Sequence, residues 1–177
     1  VEEGVFHETI NFCALNKLPV LFVCENNLYS VYSSMSVRQP KNRSIAKMVN
    51  AMGIKSFNAD GNDVLKIYNI VSRELSKIRS GFGPRFIEFD TYRWREHCGP
   101  NFDNDIGYRT KQEFLKWKKK DPIQKYQNKL LRNNEITEEE INKIEKNLLK
   151  KINQAYEYAD SSPYPKPSEA FNYIYAK

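Results

Sequence analysis

Long apolar runs are missing from this 177-residue chain. No stretch approaches the roughly 20 residues that cross a bilayer as a helix, which excludes a transmembrane segment of that kind. Cysteine is scarce. Cys13, Cys24 and Cys98 are odd in number, far apart and match no zinc or redox spacing, so neither a disulfide scaffold nor a thiolate metal site is expected. Their usage suits a reducing, cytoplasmic setting. Histidine occurs only as His7 and His97. There is no glycine-rich phosphate loop, serine triad or internal repeat. The opening Val1-Glu2-Glu3-Gly4 lacks an initiator Met, a basic n-region and an apolar h-region, and does not read as a signal peptide.

What is there suits a globular domain. Hydrophobic residues make up 40 %, enough for a core, and 28 Lys and Arg against 22 Asp and Glu leave a net charge of +6. The charges alternate in sign, whereas a nucleic-acid binder concentrates them on one face, so no nucleic-acid partner is expected. The densest run, Lys116 with Lys118, Lys119 and Lys120, has Glu113 and Asp121 beside it and reads as a solvated helix face.

Residues 2–17 carry Val5, Phe6, Ile10, Cys13 and Leu15 near helical spacing, with Glu2 and Glu3 at the end where the helix dipole favours acids. They predict a helix, which Pro19 ends. Val20-Leu21-Phe22-Val23-Cys24 is then a continuous apolar run closed by Glu25-Asn26-Asn27, the pattern of a strand buried on both faces of a parallel sheet. Residues 28–43 read as an ordered loop. A short helix over 44–52 stops at Gly53, and a strand follows over 54–58. Asp63 caps a helix to about Ser80 with an apolar stripe of Val64, Ile67, Tyr68, Val71, Leu75 and Ile78. Phe86-Ile87-Glu88-Phe89 is a third strand, leading into the polar segment Thr91 to Pro100. The class is α/β, a mainly parallel sheet flanked by helices. Such sheets place ligands at the carboxyl ends of their strands, where two polar segments here point to one site.

Beyond Arg109 the composition turns helical. The expected division is 1–109, an α/β domain, and 110–177, a helical C-terminal extension. Thr110 with Glu113 and Thr137 with Glu140 form capping boxes, and Asp121-Pro122 opens a helix between them. The last helix runs to about Ala159 on Ile141, Ile144, Leu148, Ile152 and Ala155. Residues 161–167 are too proline-rich for regular structure, and the apolar and aromatic residues of 168–176 call for a neighbour to dock on.

Two segments could carry chemistry. Glu25-Asn26-Asn27-Leu28-Tyr29-Ser30 offers an amide oxygen with a backbone carbonyl two residues on, a donor set that suits Mg²⁺. An Asn pair at a strand end is equally a turn, because Asn tolerates left-handed backbone. His97 stands among Arg93, Arg95 and Glu96 beyond a buried strand, where it can bind phosphate or hold a proton near neutral pH, or simply make a local hydrogen bond. Cys98 adjoins it, but neighbours on an extended segment point apart and do not readily share a proton.

Taken in order, several motifs form one pattern: Val1-Glu2-Glu3-Gly4-Val5-Phe6-His7-Glu8, Asn11-Phe12-Cys13-Ala14-Leu15, Lys17-Leu18-Pro19 and Cys24-Glu25-Asn26-Asn27-Leu28-Tyr29. Asp60-Gly61-Asn62-Asp63, Gly83-Pro84-Arg85-Phe86-Ile87-Glu88, Thr91-Tyr92-Arg93, His97, Tyr108-Arg109 and Asp121-Pro122-Ile123 continue it. The pattern resembles, from end to end, the thiamine-diphosphate motif region of 2-oxo-acid dehydrogenase α subunits. That group comprises the decarboxylating components of pyruvate, branched-chain and acetoin dehydrogenases.

The resemblance implies a thiamine-diphosphate-binding fold in which Asn27 gives Mg²⁺ a side-chain oxygen and Tyr29 its carbonyl. It implies that Asn27, Tyr29, Ser30 and His97 contact the cofactor, and that His97 is catalytic, positioning the acyl group or handling a proton. The implied reaction is oxidative decarboxylation of a 2-oxo acid, with acyl transfer to the lipoyl group of an acyltransferase. The implied assembly is an α₂β₂ tetramer whose β subunit, separate or fused, supplies the glutamate that activates the cofactor. An acetoin dehydrogenase or another thiamine-dependent carbon–carbon bond enzyme is the close alternative; a non-catalytic fragment serving subunit association is the distant one. The family's Gly-Asp-Gly triplet, whose Asp binds Mg²⁺, would fall just before Val1, so the chain reads as the C-terminal half of such a subunit, inactive by itself.

There are departures. Ser30-Val31 follows Tyr29 where many relatives differ, Glu96 replaces Gly or His, and the loop from Gly99 to Gly107 is longer than in pyruvate enzymes. Cys98 stands where mitochondrial relatives carry a phosphorylated Ser, so that switch is not expected here and a bacterial origin is.

Overall fold

The computed structural model describes residues 1–175, in two compact units, Val1–Gln127 and the stretch from Asn128 on. In the first unit a helix Gly4–Leu15 (α1) leads to strand Leu21–Asn26 (β1). An antiparallel hairpin of Tyr29–Ser30 (β2) and Ser33–Ser34 (β3) follows, then a single helical turn Met35–Arg38 (α2) and helix Ile45–Ala51 (α3). Strand Lys55–Asp60 (β4), helix Val64–Arg79 (α4), strand Arg85–Asp90 (β5) and helix Lys111–Lys118 (α5) complete it. β5 lies between β1 and β4 and is parallel to both, with Asn26, Asp90 and Asp60 level at the carboxyl end. This is the α/β class read from the sequence.

Side chains alternate across β5 and build a core on each face. Phe86 joins Ile10, Cys13, Ile45, Val49 and Ile54 under α1 and α3. Ile87 and Phe89 join Ala59 and the α4 residues Ile67, Ile70 and Val71 on the other face. Each fully buried Ile or Phe contributes ~1.5–3 kcal/mol. The helix ends follow their caps. Ser44 accepts the Lys47 N–H at 3.3 Å, Asp63 accepts that of Lys66 at 3.1 Å, and Gly53 ends α3 at φ +91°.

The doubly buried strand is not the one at 20–24. Arg85 to Phe89 of β5 are all buried, whereas Val23 of β1 is 51 % exposed. The reason is position: β1 is an edge, and while Leu21 packs with the α4 cluster, Val23 does not. α1 is also shorter than expected. Glu3 is its N-cap with no side-chain bond, Glu2 lies outside and pairs with Arg38 and Gln39, and Val5 and Leu15 face solvent. The loop of 28–43 contains the hairpin and α2. On α4, Val64 and Tyr68 are exposed, and the inward face instead carries Glu74. That buried acid is tolerated because Arg73, Lys77 and Arg85 reach it at 2.7, 3.4 and 3.2 Å.

Helix Pro122–Arg132 (α6) is capped by Asp121, whose Oδ1 accepts the N–H groups of Ile123 and Gln124 at 2.9 and 3.2 Å. The compact units divide within it, while the composition shift lies at 109/110, so α5 belongs to the first unit. In the second unit, helix Glu138–Ser161 (α7) opens with a complete capping box. Thr137 Oγ1 accepts the Glu140 N–H at 3.2 Å and Glu140 Oε2 accepts that of Thr137 at 2.9 Å. A 3₁₀ turn Pro167–Phe171 follows. Phe171, Tyr173 and Tyr175 are exposed; Ala176, the last of the segment expected to dock on a neighbour, lies outside the described residues. Among the described residues no helix is long and apolar enough to cross a membrane.

Candidate functional site

At the carboxyl end of β1 the chain makes two successive turns through its own asparagines. Asn26 Oδ1 accepts the Leu28 N–H at 3.1 Å and Asn27 Oδ1 that of Tyr29 at 2.9 Å. Leu28 is held at φ +70°. The turn is therefore made, and it leaves Asn27 Oδ1 a second lone pair.

From the end of β5 comes the other wall. Arg93 Nη2 donates to the Val31 carbonyl at 2.8 Å and to the Tyr108 hydroxyl at 2.9 Å, clamping the His97 loop onto the asparagine loop. The resulting cleft of about 350 Å³ is lined by Asn27, Tyr29, Ser30, Arg38, Arg93 and His97, among others. It brings together all four residues singled out in the sequence. His97 and Ser30 are exposed; Asn27 and Tyr29 are half-buried.

His97 rides on a closed turn. Glu96 N–H donates to the Asn101 carbonyl at 2.9 Å, Glu96 Oε1 accepts the Asn101 amide at 3.1 Å, and Arg95 reaches the Pro100 carbonyl at 2.9 Å. The unusual Glu96 is thus the clasp of this turn. Cys98, at its tip, is exposed.

Beneath the turn lies a buried ionic cluster that sequence reasoning missed. Asp103 and Arg109 pair directly, with side chains only 2 % and 0 % exposed, and Tyr108 donates its hydroxyl to Asp103 Oδ2 at 2.5 Å. Arg109 also donates to the Arg93 carbonyl at 2.6 Å, and its guanidinium stands 5.0 Å from the Tyr92 ring centroid. Burial pushes the Asp103 carboxyl up, but the bonds from Tyr108 and Arg109 and the arginine charges outweigh it and hold the group below its ordinary value. Burial and the Asp103 bond push Tyr108 up to about 12, so it remains a donor. No periodicity marks such a loop, though acids at Glu96, Asp103 and Asp105 between Arg95 and Arg109 were a signal that one of them is paired.

α5 supports the same wall. Its Thr110 cap accepts the Glu113 N–H at 3.1 Å, yet the expected box is half-made, because the Glu113 carboxylate accepts the Tyr29 hydroxyl at 2.7 Å. Burial first, and then Glu113, push the Tyr29 hydroxyl upward. Tyr29→Phe is expected to cost about 1.5 kcal/mol in urea denaturation, at the lower end for a bond to a charged group because Glu113 can then turn back to the Thr110 N–H. A loss above about 3 kcal/mol would contradict this account.

Chemically, the cleft is lined by Asn27 and main chain beside Arg93, His97, Glu25 and the Arg38–Glu2 pair, a mixed set that suits a divalent cation carrying an anionic ligand. Among the described residues no three His, Cys, Asp or Glu side chains converge on a metal position. A cation here would complete its shell with oxygens from elsewhere, phosphate oxygens included.

The sequence pattern of the dehydrogenase E1 component family matches residues 1–168. The 2-oxoisovalerate dehydrogenase subunit alpha of Bacillus subtilis (strain 168) is 36 % identical over 179 residues, covering 99 % of this chain and 52 % of that relative. The chloroplastic pyruvate dehydrogenase E1 component subunit alpha-3 of Arabidopsis thaliana is 35 % identical, covering 98 % and 40 %. The pyruvate dehydrogenase E1 component subunit alpha of Rickettsia bellii (strain RML369-C) is 32 % identical, covering 99 % and 52 %. The chain thus spans about half the length of the curated relatives it matches.

Proposed function

The chain belongs to the dehydrogenase E1 component family, and from that premise we propose that it is the cofactor-diphosphate half of a 2-oxo-acid dehydrogenase α subunit. It works in the cytoplasm with a β subunit in an α₂β₂ tetramer and delivers acyl groups to a lipoyl acyltransferase. The observation that carries this reading is the cleft itself, which gathers Asn27, Tyr29, Ser30 and His97 at the carboxyl end of parallel strands.

Bound there with Mg²⁺, thiamine diphosphate supplies the carbanion chemistry that decarboxylates a 2-oxo acid. The chain's own residues hold and orient. Asn27 gives Mg²⁺ the lone pair that the Tyr29 N–H leaves unused, and Tyr29 gives its carbonyl. Ser30 and the cationic side chains Arg38 and Arg93 face the diphosphate. His97, on a turn fastened by Glu96 and Asn101, would position the acyl group or handle a proton during its transfer.

The test is a calorimetric titration of thiamine diphosphate with Mg²⁺ against this chain and against a version extended upstream to the length of its relatives. Saturable, Mg²⁺-dependent binding in the long form, lost in its Asn27→Ala variant, is expected. Binding in neither form would overturn the reading in favour of a subunit-association role.

A further inference from the structure

A buried acid adjoins the asparagine turn, and the binding scheme above leaves it without a task. Glu88 of β5 is 5 % exposed. One of its oxygens accepts the Asn26 side-chain N–H at 2.8 Å and the other the Ala46 main-chain N–H at 3.1 Å. Asn26 thereby turns its own Oδ1 to the Leu28 N–H. The Leu28 carbonyl accepts the Met35 N–H at 2.7 Å. A leucine keeps a left-handed backbone only where its surroundings over-determine it, and these bonds do so.

The second Glu88 oxygen is the informative one. Ser44 caps α3 at the Lys47 N–H, and Glu88 takes a different free donor of the first turn, the Ala46 N–H, so one carboxylate joins the start of α3 to the asparagine turn. Tying the Asn26 side chain to the start of α3 through one residue requires an acceptor pair. Glutamine would present a donor to one of two donors and lose that bond; alanine would lose both.

We propose that Glu88 is a positioning residue for the Mg²⁺–diphosphate site, setting through Asn26 the turn that aims Asn27 and Tyr29. This rests on the role proposed above for those two residues. Partners that orient a metal's ligands in this way typically account for 10- to 100-fold of the affinity.

The experiment is a calorimetric Mg²⁺ titration of the full-length subunit assembled with its partner, in excess thiamine diphosphate. Glu88→Gln is expected to raise the Mg²⁺ Kd by about 10- to 100-fold. Asn26→Ala should do the same, and the double variant should be no worse than Asn26→Ala alone, because both act through one contact. A purely structural role for Glu88 gives additive losses instead, and that result, or an unchanged Kd in Glu88→Gln, overturns the proposal. If Glu88→Gln fails to fold, Asn26→Ala decides: an unchanged Kd there overturns it. A wild-type protein that takes up no Mg²⁺ strikes the reading of Asn27 and Tyr29 itself. Wild-type uptake with unaffected variants strikes Glu88 alone.

Discussion

Replacing His97 by alanine in the full-length subunit assembled with its partner is expected to lower acyl transfer to lipoyl by about 10²- to 10⁴-fold, the range for a positioned acid–base group. Thermal unfolding should not change. The ring is exposed, and its turn is fastened by Glu96, Asn101 and Arg95 rather than by the imidazole. Single-turnover acylation measured beside the melting curve separates the two effects. His97→Gln refines the reading: recovery of rate would mean the ring positions the acyl group, and no recovery would mean it handles a proton. Unchanged turnover in His97→Ala would remove the residue from the mechanism.

Asp103→Ala is expected to produce the largest loss of stability, about 3–5 kcal/mol in chemical denaturation, because it strands the Arg109 guanidinium in the interior without its counter-charge. Arg109 Nε is already buried without a partner among the described residues, so little slack is available. The loss should extend to function, since Arg93, Tyr108 and Arg109 would together loosen the clamp between the two loops of the cleft. Faster proteolysis within 93–109 reports that directly. A change below about 1 kcal/mol would show that the cluster is not what holds the loop. The pH dependence has a definite sign. The folded Asp103 carboxyl titrates below its ordinary 3.8, so the unfolded chain binds more protons beneath about pH 4. The stabilisation is complete above that pH and is lost as pH falls through the depressed folded value. Asp103→Ala should flatten this acid limb.

Much of the scaffold was legible from residues alone. The caps at Ser44, Asp63, Asp121 and Thr137 form as their types demand, because capping is a contact within one helical turn. The three parallel strands and the two polar strand ends were readable for a similar reason: apolar runs and turn residues act locally. The acids were misread or passed over. Glu74 sits on a helix face counted as apolar, Glu88 within an apolar strand, Asp103 in a loop without periodicity, and Glu113 in a box that it leaves half-made. Glu113 and Glu88 find partners far along the chain, at Tyr29 and Asn26, while Glu74 is met by Arg85 eleven residues on and Asp103 by Arg109 across its own loop.

The sequence by itself determined the main helices and parallel strands, their order and the asparagine and histidine segments, though not the short hairpin and helical turn within 28–43, since propensity, period and cap chemistry are settled among near neighbours. Only the tertiary structure decided which strand is central, which face of each helix is dry, and that Arg93 ties the His97 loop to Val31. Burial depends on what lies across the sheet. A buried charge is stable only beside counter-charges or donors, and Arg85 at Glu74 and Asn26 at Glu88 are brought there by the folded topology, not by helical spacing.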